Sequence, residues 1–501
     1  MTVHPLSLSM ATVADIHAAY ARGELNCERL TQWYLDRIAA YDRKGPALQA
    51  LITVNPQALH RARELDRHYA ANGGPLGALH GIPVILKDNF DTTDLPTTGG
   101  CTAFRNSLPG RDAFSVQRMR AAGALILAKA NQGELARSPI SFSKLGGQVR
   151  NPYDLTRNPG GSSGGSGAAM AAQFAMLATG SDTGQSIRSP ASACNVVGVR
   201  PTRGLVSRAG IMPNSLTQDE IGPITRTVAD AALLLEVMAG YDREDPVTAF
   251  CRGRRPASYR SALTPDALNG ARIGVLENMF GAQQQHREVN DVMEEVIVRM
   301  ESLGATLPRL RLDAFDRLSP VIATSKFEAA TAWAQYFARL GPQAPVRSLQ
   351  QLIALGDSAV LDTLQLELSL QDGMQRAEYR EYTLNRDRLR LAVASLMADF
   401  NLDALLYPQQ RVLVPAIATG EQPERNGALS HGTGFPAVTF PGGFSAPTAS
   451  APLGVPVGAE LLGLDYSEPH LLAFAYAHEQ AAGLHRVPAS TPLLSRLGTP
   501  E

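Results

Sequence analysis

The sequence is poor in lysine, cysteine and tryptophan, and it carries almost no net charge. Its lysines are Lys44, Lys87, Lys129, Lys144 and Lys326, and no histidine lies between His80 and His286. Lys+Arg total 46 against 47 Asp+Glu, a net charge of −1, so there is no basic footprint for nucleic acid or an anionic membrane surface. The four cysteines, Cys27, Cys101, Cys194 and Cys251, lack metal-ligand spacing and read as small apolar residues. His431, His470 and His478 also lack a tight ligand motif, so no metal or other cofactor is expected. No apolar run approaches the roughly 20 residues of a membrane span. No basic segment followed by an apolar run and a cleavage site opens the chain, so a cytoplasmic enzyme is expected. Length alone, 501 residues, suggests about three domains, although large α/β enzymes often remain one.

Glycine is plentiful, and it is most concentrated between Pro159 and Pro201, which reads PGGSSGGSGAAMAAQFAMLATGSDTGQSIRSPASACNVVGVRP. Two serine-bearing turns flank an Ala-rich segment, Ala168 to Ala178, that favours helix. Glycine so dense usually lets backbone come close to something. A phosphate loop would need Lys then Ser/Thr after Gly165, and Ser166 and Gly167 stand there instead. Gly161-Ser162-Ser163-Gly164-Gly165 fits a nucleophile elbow, but Leu155 to Pro159 is not the strand an elbow requires. The two turns together suit a third reading. The amides of Gly164 to Gly167 lie at or near a helix N-terminus, and Thr183-Gly184-Gln185-Ser186 presents a serine whose own loop can supply oxyanion donors.

A serine nucleophile needs a base, and the histidine gap turns attention to lysine. Lys87 ends the apolar strand Gly81-Ile82-Pro83-Val84-Ile85-Leu86, which carries it toward the interior. Burial lowers a lysine's pKa and can make it a base. The same run also reads as a strand-end lysine paired with Asp88 or Asp91 and facing water.

Taken in order, Gly81 to Asp88, Pro159 to Ser166 and Gly180 to Arg188 resemble the amidase signature family, and the likeness extends from about Thr12 to Glu479. The resemblance implies a single α/β domain over residues 1–501, with a mixed, largely parallel twisted sheet flanked by helices on both faces. Residues 12–242 form its core half, 243–400 a variable helical region, and 401–485 the closing strands and helix. It implies Lys87 as base, Ser162 as a bridging serine in a cis peptide, and Ser186 as the acyl-forming nucleophile. Backbone N–H groups of Thr183, Gly184, Gln185 and Ser186 would hold the oxyanion.

The implied activity is hydrolysis of the C–N bond of a small amide or carbamate, without direct nucleic-acid or membrane binding. The chain departs from the family pattern at Gln185 and Asn195, where glycine is usual. Gln185 and Ala459-Glu460-Leu461-Leu462-Gly463 are similar to bacterial members that act on carbamates, the urethanases. The alternative is an amidotransferase A-type subunit, which hydrolyses glutamine to supply ammonia within a tRNA-dependent complex and needs partner chains. An inactive scaffold is a third possibility, opposed by the intact Lys87, Ser162 and Ser186.

Other features read as structural. Lys129 repeats the strand-then-lysine text but is structural or substrate-proximal, and Ser141-Phe142-Ser143-Lys144 matches S-x-x-K without that motif's companions. Gln218-Asp219 belongs to a loop wrapping the site, and Arg188 is expected to pair with Asp182. The segment 243–271 is the best internal boundary. Residues 326–397 read as amphipathic helix, and 408–434 as an irregular loop rimming the site.

Overall fold

Val84, Ile85 and Leu86 are apolar residues that favour a strand buried on both faces, and every residue of Pro83–Lys87 is buried. The computed structural model describes Leu8 and residues 11–494, so the N-terminal stretch read for a leader lies largely outside the described residues. The first part of the chain supplies β1 (Leu51–Val54), β2 (Pro83–Lys87), β3 (Leu125–Ala130), β4 (Phe142–Ser143), β5 (Gly147–Gln148), β6 (Leu177–Asp182), β7 (Val197–Arg200) and β8 (Glu220–Thr225). The second supplies β9 (Ile273–Leu276), β10 (Arg309–Leu310), β11 (Ala404–Pro408), β12 (Ala437–Phe444) and β13 (Pro456–Leu462).

Strands β4 and β5 pair with each other. The others form one 11-stranded sheet in the order β1-β3-β2-β6-β8-β7-β12-β13-β11-β9-β10. It is the mixed α/β sheet expected. Parallel pairings β3-β2-β6 and β11-β9-β10 lie toward its two ends, and antiparallel pairings run through the middle and add β1 at one edge. The two parts of the chain meet where β12 pairs antiparallel with β7. Strands β2, β3 and β6 are buried at every position, which requires cover on both faces. Helices Gly164–Ala171, Val228–Met238, Arg287–Ser302 and Glu468–Ala482 pack against the sheet. No helix among the described residues is long and apolar enough to cross a membrane.

Three local expectations change. The helix placed at Ala168 to Ala178 instead spans Gly164–Ala171, and Leu177 already belongs to β6. Intrinsic propensity points to the alanines, but close packing selects the glycines for the first turn. A Cβ on Gly165 would lie 2.1 Å from the Asn131 carbonyl oxygen and 2.4 Å from that of Ala50. What the glycine-rich backbone approaches is therefore the protein itself. The helical stretch 326–397 is broken into Ser325–Leu340, Leu349–Ala354, Leu361–Ser369 and Ala377–Asp399. The rim loop 408–434 contains the short helix Ala428–Thr433.

Candidate active site

Strand alternation explains why two similar lysines behave differently. In the β2-β3 register Leu86 lies opposite Lys129 and Lys87 opposite Ala130, so the two lysine side chains leave opposite faces of the sheet. Lys129 meets Asp88 at 3.3 Å and donates to the Pro96 carbonyl and Thr97 Oγ1. The ion pair to Asp88 considered for Lys87 thus belongs to Lys129.

Lys87 is fully buried. Its Nζ lies 2.8 Å from Ser162 Oγ, 2.9 Å from Ser181 Oγ and 3.2 Å from the Ser181 carbonyl oxygen. Burial pushes its pKa down to about 7, with Asp182 and Asp219 pulling the other way. Such an amine is divided between its neutral and charged forms at neutral pH.

Ser162 follows a cis Gly161-Ser162 peptide bond. Its carbonyl accepts from the Gly133 N–H at 2.9 Å. Ser141 braces the same turn, donating from Oγ to the Gly160 carbonyl and accepting from the Gly164 N–H. The S-x-x-K text is therefore no catalytic pair, because Lys144 pairs with Asp357 on the surface. The two serine turns are stitched together where the Ser163 N–H donates to the Ser186 carbonyl at 3.1 Å.

The turn 183–186 is anchored from beneath by charge. Asp182 accepts from Arg188 Nε at 3.1 Å, from Arg200 Nη1 at 3.0 Å and from the Ile187 N–H at 3.0 Å. Burial alone would raise the Asp182 pKa, but Arg188 and Arg200 hold it well below the usual carboxylate range. Arg188 also donates to the Gly184 carbonyl at 2.6 Å and to Glu460 at 2.8 Å, so the expected Asp182–Arg188 pair is part of a larger network. Removing one partner of a buried network leaves charge uncompensated, at a cost of about 3–5 kcal/mol. Asp182→Asn is expected to lose stability on that scale, seen as a lower urea midpoint with an unchanged m-value. An unchanged midpoint would show that the network does not support the fold.

The carbonyls of the turn are all engaged, by Gln218, Arg188, the Ser189 N–H and the Ser163 N–H. Among the described residues no hydrogen bond uses the N–H of Gly184, Gln185 or Ser186. All three residues line a cavity of about 300 Å³, and a Cβ on Gly184 would meet nothing within 4 Å. Thr183 lines the same cavity, and its Oγ1 donates to Asp219 at 2.6 Å. Gln185 Oε1 accepts from Gln409 at 3.3 Å. Asn195 takes φ +54°, a left-handed conformation that asparagine tolerates, which explains how it stands where glycine is usual.

Sequence reasoning missed several contributors. Ser181 and Asn89 complete the surroundings of Lys87, Asn89 Nδ2 donating to Ser181 Oγ at 2.9 Å, and both lie within or beside motifs whose text points only to Lys87 and Ser186. Gln218, read from the sequence as part of a loop wrapping the site, holds the Thr183 carbonyl and lies 3.0 Å from His431 Nδ1. His431 lines the cavity, where burial and nearby arginines keep its pKa well below the ordinary value. Arg137, Lys326, Glu367 and Arg425 also line it, and no local motif marks any of them. No cluster of His, Cys, Asp and Glu suited to a metal ion occurs among the described residues.

A sequence model of the family described as Amidase matches residues 29–472. The chain is 33% identical over 498 residues to the A-type subunit of glutamyl-tRNA(Gln) amidotransferase from Alkaliphilus metalliredigens, covering 96% of this chain and 98% of that protein. Native peptide amidase from Stenotrophomonas maltophilia is similar with a TM-score of 0.88 and 36% identity, covering 97% of this chain and 99% of that one. The corresponding A-type amidotransferase subunit from Thermotoga maritima gives a TM-score of 0.75 and 27% identity, covering 97% and 98%. Matched over most of its length by the family model and by relatives above 30% identity, the chain belongs to the amidase signature family.

Proposed function

We propose that this amidase-family C–N hydrolase cleaves a small-molecule linear amide through an acyl-Ser186 intermediate, with Ser162 as proton relay and Lys87 as base. The observation that carries the reading is the 2.8 Å contact between the buried Lys87 amine and Ser162 Oγ. A neutral amine has two N–H donors for the Ser181 oxygens and a lone pair for the Ser162 hydroxyl, which matches its three neighbours.

Ser162 passes its proton to Lys87 and takes one from Ser186 as Ser186 Oγ bonds to the carbonyl carbon. The carbonyl π pair moves onto oxygen, which the free amides of the 183–186 turn receive. Collapse breaks the C–N bond, and the amine leaves with the proton returned by Lys87 through Ser162. Water then adds to the acyl carbon by the same relay and releases the acid and Ser186.

Carbamate turnover is the narrower reading, and the two segments behind it differ in position. Gln185 lines the cavity, whereas Glu460 is engaged with Arg188 and Tyr407. The second reading is an amidotransferase subunit with partner chains, favoured by the Alkaliphilus relative. The higher identity and TM-score to the Stenotrophomonas peptide amidase than to the Thermotoga protein favour a stand-alone enzyme. Amine release from an aryl amide, an aryl carbamate and free glutamine tests all three. The expected result is turnover of the amide or carbamate by the isolated chain. Glutamine hydrolysis alone, or silence until a partner is added, would replace this proposal with the amidotransferase.

A further inference from the structure

The charged side chains lining the catalytic cavity are Arg137, Lys326, Arg425 and Glu367, three cations and one carboxylate. Arg137 and Glu367 neutralise each other, Arg137 Nε lying 2.8 Å and 3.0 Å from the two Glu367 oxygens. Lys326 has its partner outside the cavity wall, Glu378 at 3.1 Å, and rests over the rings of Phe327 and Tyr382. Arg425 differs. It is an exposed residue at the cavity wall, and among the described residues its guanidinium has neither an ion pair nor a hydrogen bond. Its backbone is nevertheless held, by a bridge from Arg425 to Gln410 and by the next residue's N–H donating to the Gln409 carbonyl. The neighbouring carboxylate, Glu424, is engaged with His286 at 2.6 Å and with Gln285 at 2.6 Å, leaving Arg425 uncompensated.

A fixed backbone holding an exposed, unpaired guanidinium at the wall of a cavity of about 300 Å³ is a ready partner for an anion entering from solvent. Guanidinium matches a planar carboxylate with two parallel N–H···O bonds. It disfavours a cationic group at the same place. Building on the hydrolase reading above, we infer that the amide substrate carries a carboxylate or similar anionic group that binds Arg425.

Which half of the substrate bears the charge is decided by two matched pairs. One is 4-acetamidobenzoate, charged on the amine half, and the other is the monoanilide of glutaric acid, charged on the acyl half. Each is set beside its neutral methyl-ketone analogue. Isothermal titration of Ser186→Ala measures binding without turnover. One carboxylate is expected to bind at least about tenfold more tightly than its ketone, as a charge-assisted pair allows. That advantage falls to within about twofold when Arg425→Gln is added and returns in part with Arg425→Lys. Equal affinities in both pairs, an advantage that survives Arg425→Gln, or no binding by any of the four compounds overturns the inference. Because binding needs no chemistry, the two claims separate. A charge preference in a wild-type protein that hydrolyses neither amide sinks the hydrolase reading alone, and hydrolysis without the preference sinks the anion site alone.

Discussion

Ser186→Ala lowers the rate of amine release by about 10⁶-fold, the scale lost when the nucleophile of a serine hydrolase is removed. The expectation rests on position as well as residue type. Ser186 ends the turn in which Gly184, Gln185 and Ser186 line the cavity and their N–H groups make no hydrogen bond among the described residues. Those amides survive the substitution, so KM is expected to move by only a few fold while kcat collapses. Single-turnover measurement of product release with an aryl amide checks this. A variant within tenfold of wild type would remove Ser186 from the nucleophile's role and with it the acyl-enzyme scheme.

Lys87→Met abolishes turnover and makes the protein more stable. A methionine has no basic group to take the Ser162 proton, so the loss is expected to reach about 10⁴-fold, the upper range for an acid–base group. Stability moves the other way because the folded chain holds Lys87 at a pKa of about 7. Each pKa unit below the ordinary lysine value costs about 1.4 kcal/mol, and the lost hydrogen bonds return about 1 kcal/mol each, which leaves a net gain near 2 kcal/mol at pH 7. For a chain of this length that corresponds to a rise of about 2 °C in Tm.

The pH dependence has a definite sign. Between pH 7 and the unfolded lysine pKa of about 10.4, the unfolded chain binds a proton that the folded chain does not, so wild-type stability rises with pH through that window. The advantage of Lys87→Met is therefore largest at pH 7 and below, and shrinks toward pH 10. A variant less stable than wild type at every pH would show that burial does not hold the amine near neutrality. The same group sets an acid limb on kcat/KM, which falls tenfold per unit below about pH 7 as Lys87 takes up its proton.

Much of the site was legible because its motifs are local. The Gly81–Asp88 run specifies a buried strand ending in lysine, and the Pro159–Arg188 stretch brings both serine turns within one helix and one strand of each other. The glycines there were legible as a sign of close approach but not of what is approached. Gly161 and Gly165 abut the backbone of Pro139, Asn131 and Ala50, contacts made across the fold. Ser141 stands in the sequence only as part of an unaccompanied S-x-x-K, yet it bonds to both sides of the Ser162 turn.

The sequence by itself determined the family, the α/β class and the residue types gathered in the three motifs, because each is written in contiguous text whose spacing survives folding. Tertiary structure supplied the reason that Lys87 and not Lys129 faces Ser162, since one residue of register between β2 and β3 turns the two lysines to opposite faces of the sheet. It also decided the support and the walls of the cavity. Asp182 meets Arg200, Arg188 meets Glu460 and Thr183 meets Asp219 across 18, 272 and 36 residues of chain. Arg425 arrives on a loop that no motif marks. Burial is the physical reason for the difference. It lowers the Lys87 pKa and joins the charges beneath the 183–186 turn, and burial is a property of the packed sheet rather than of any local segment.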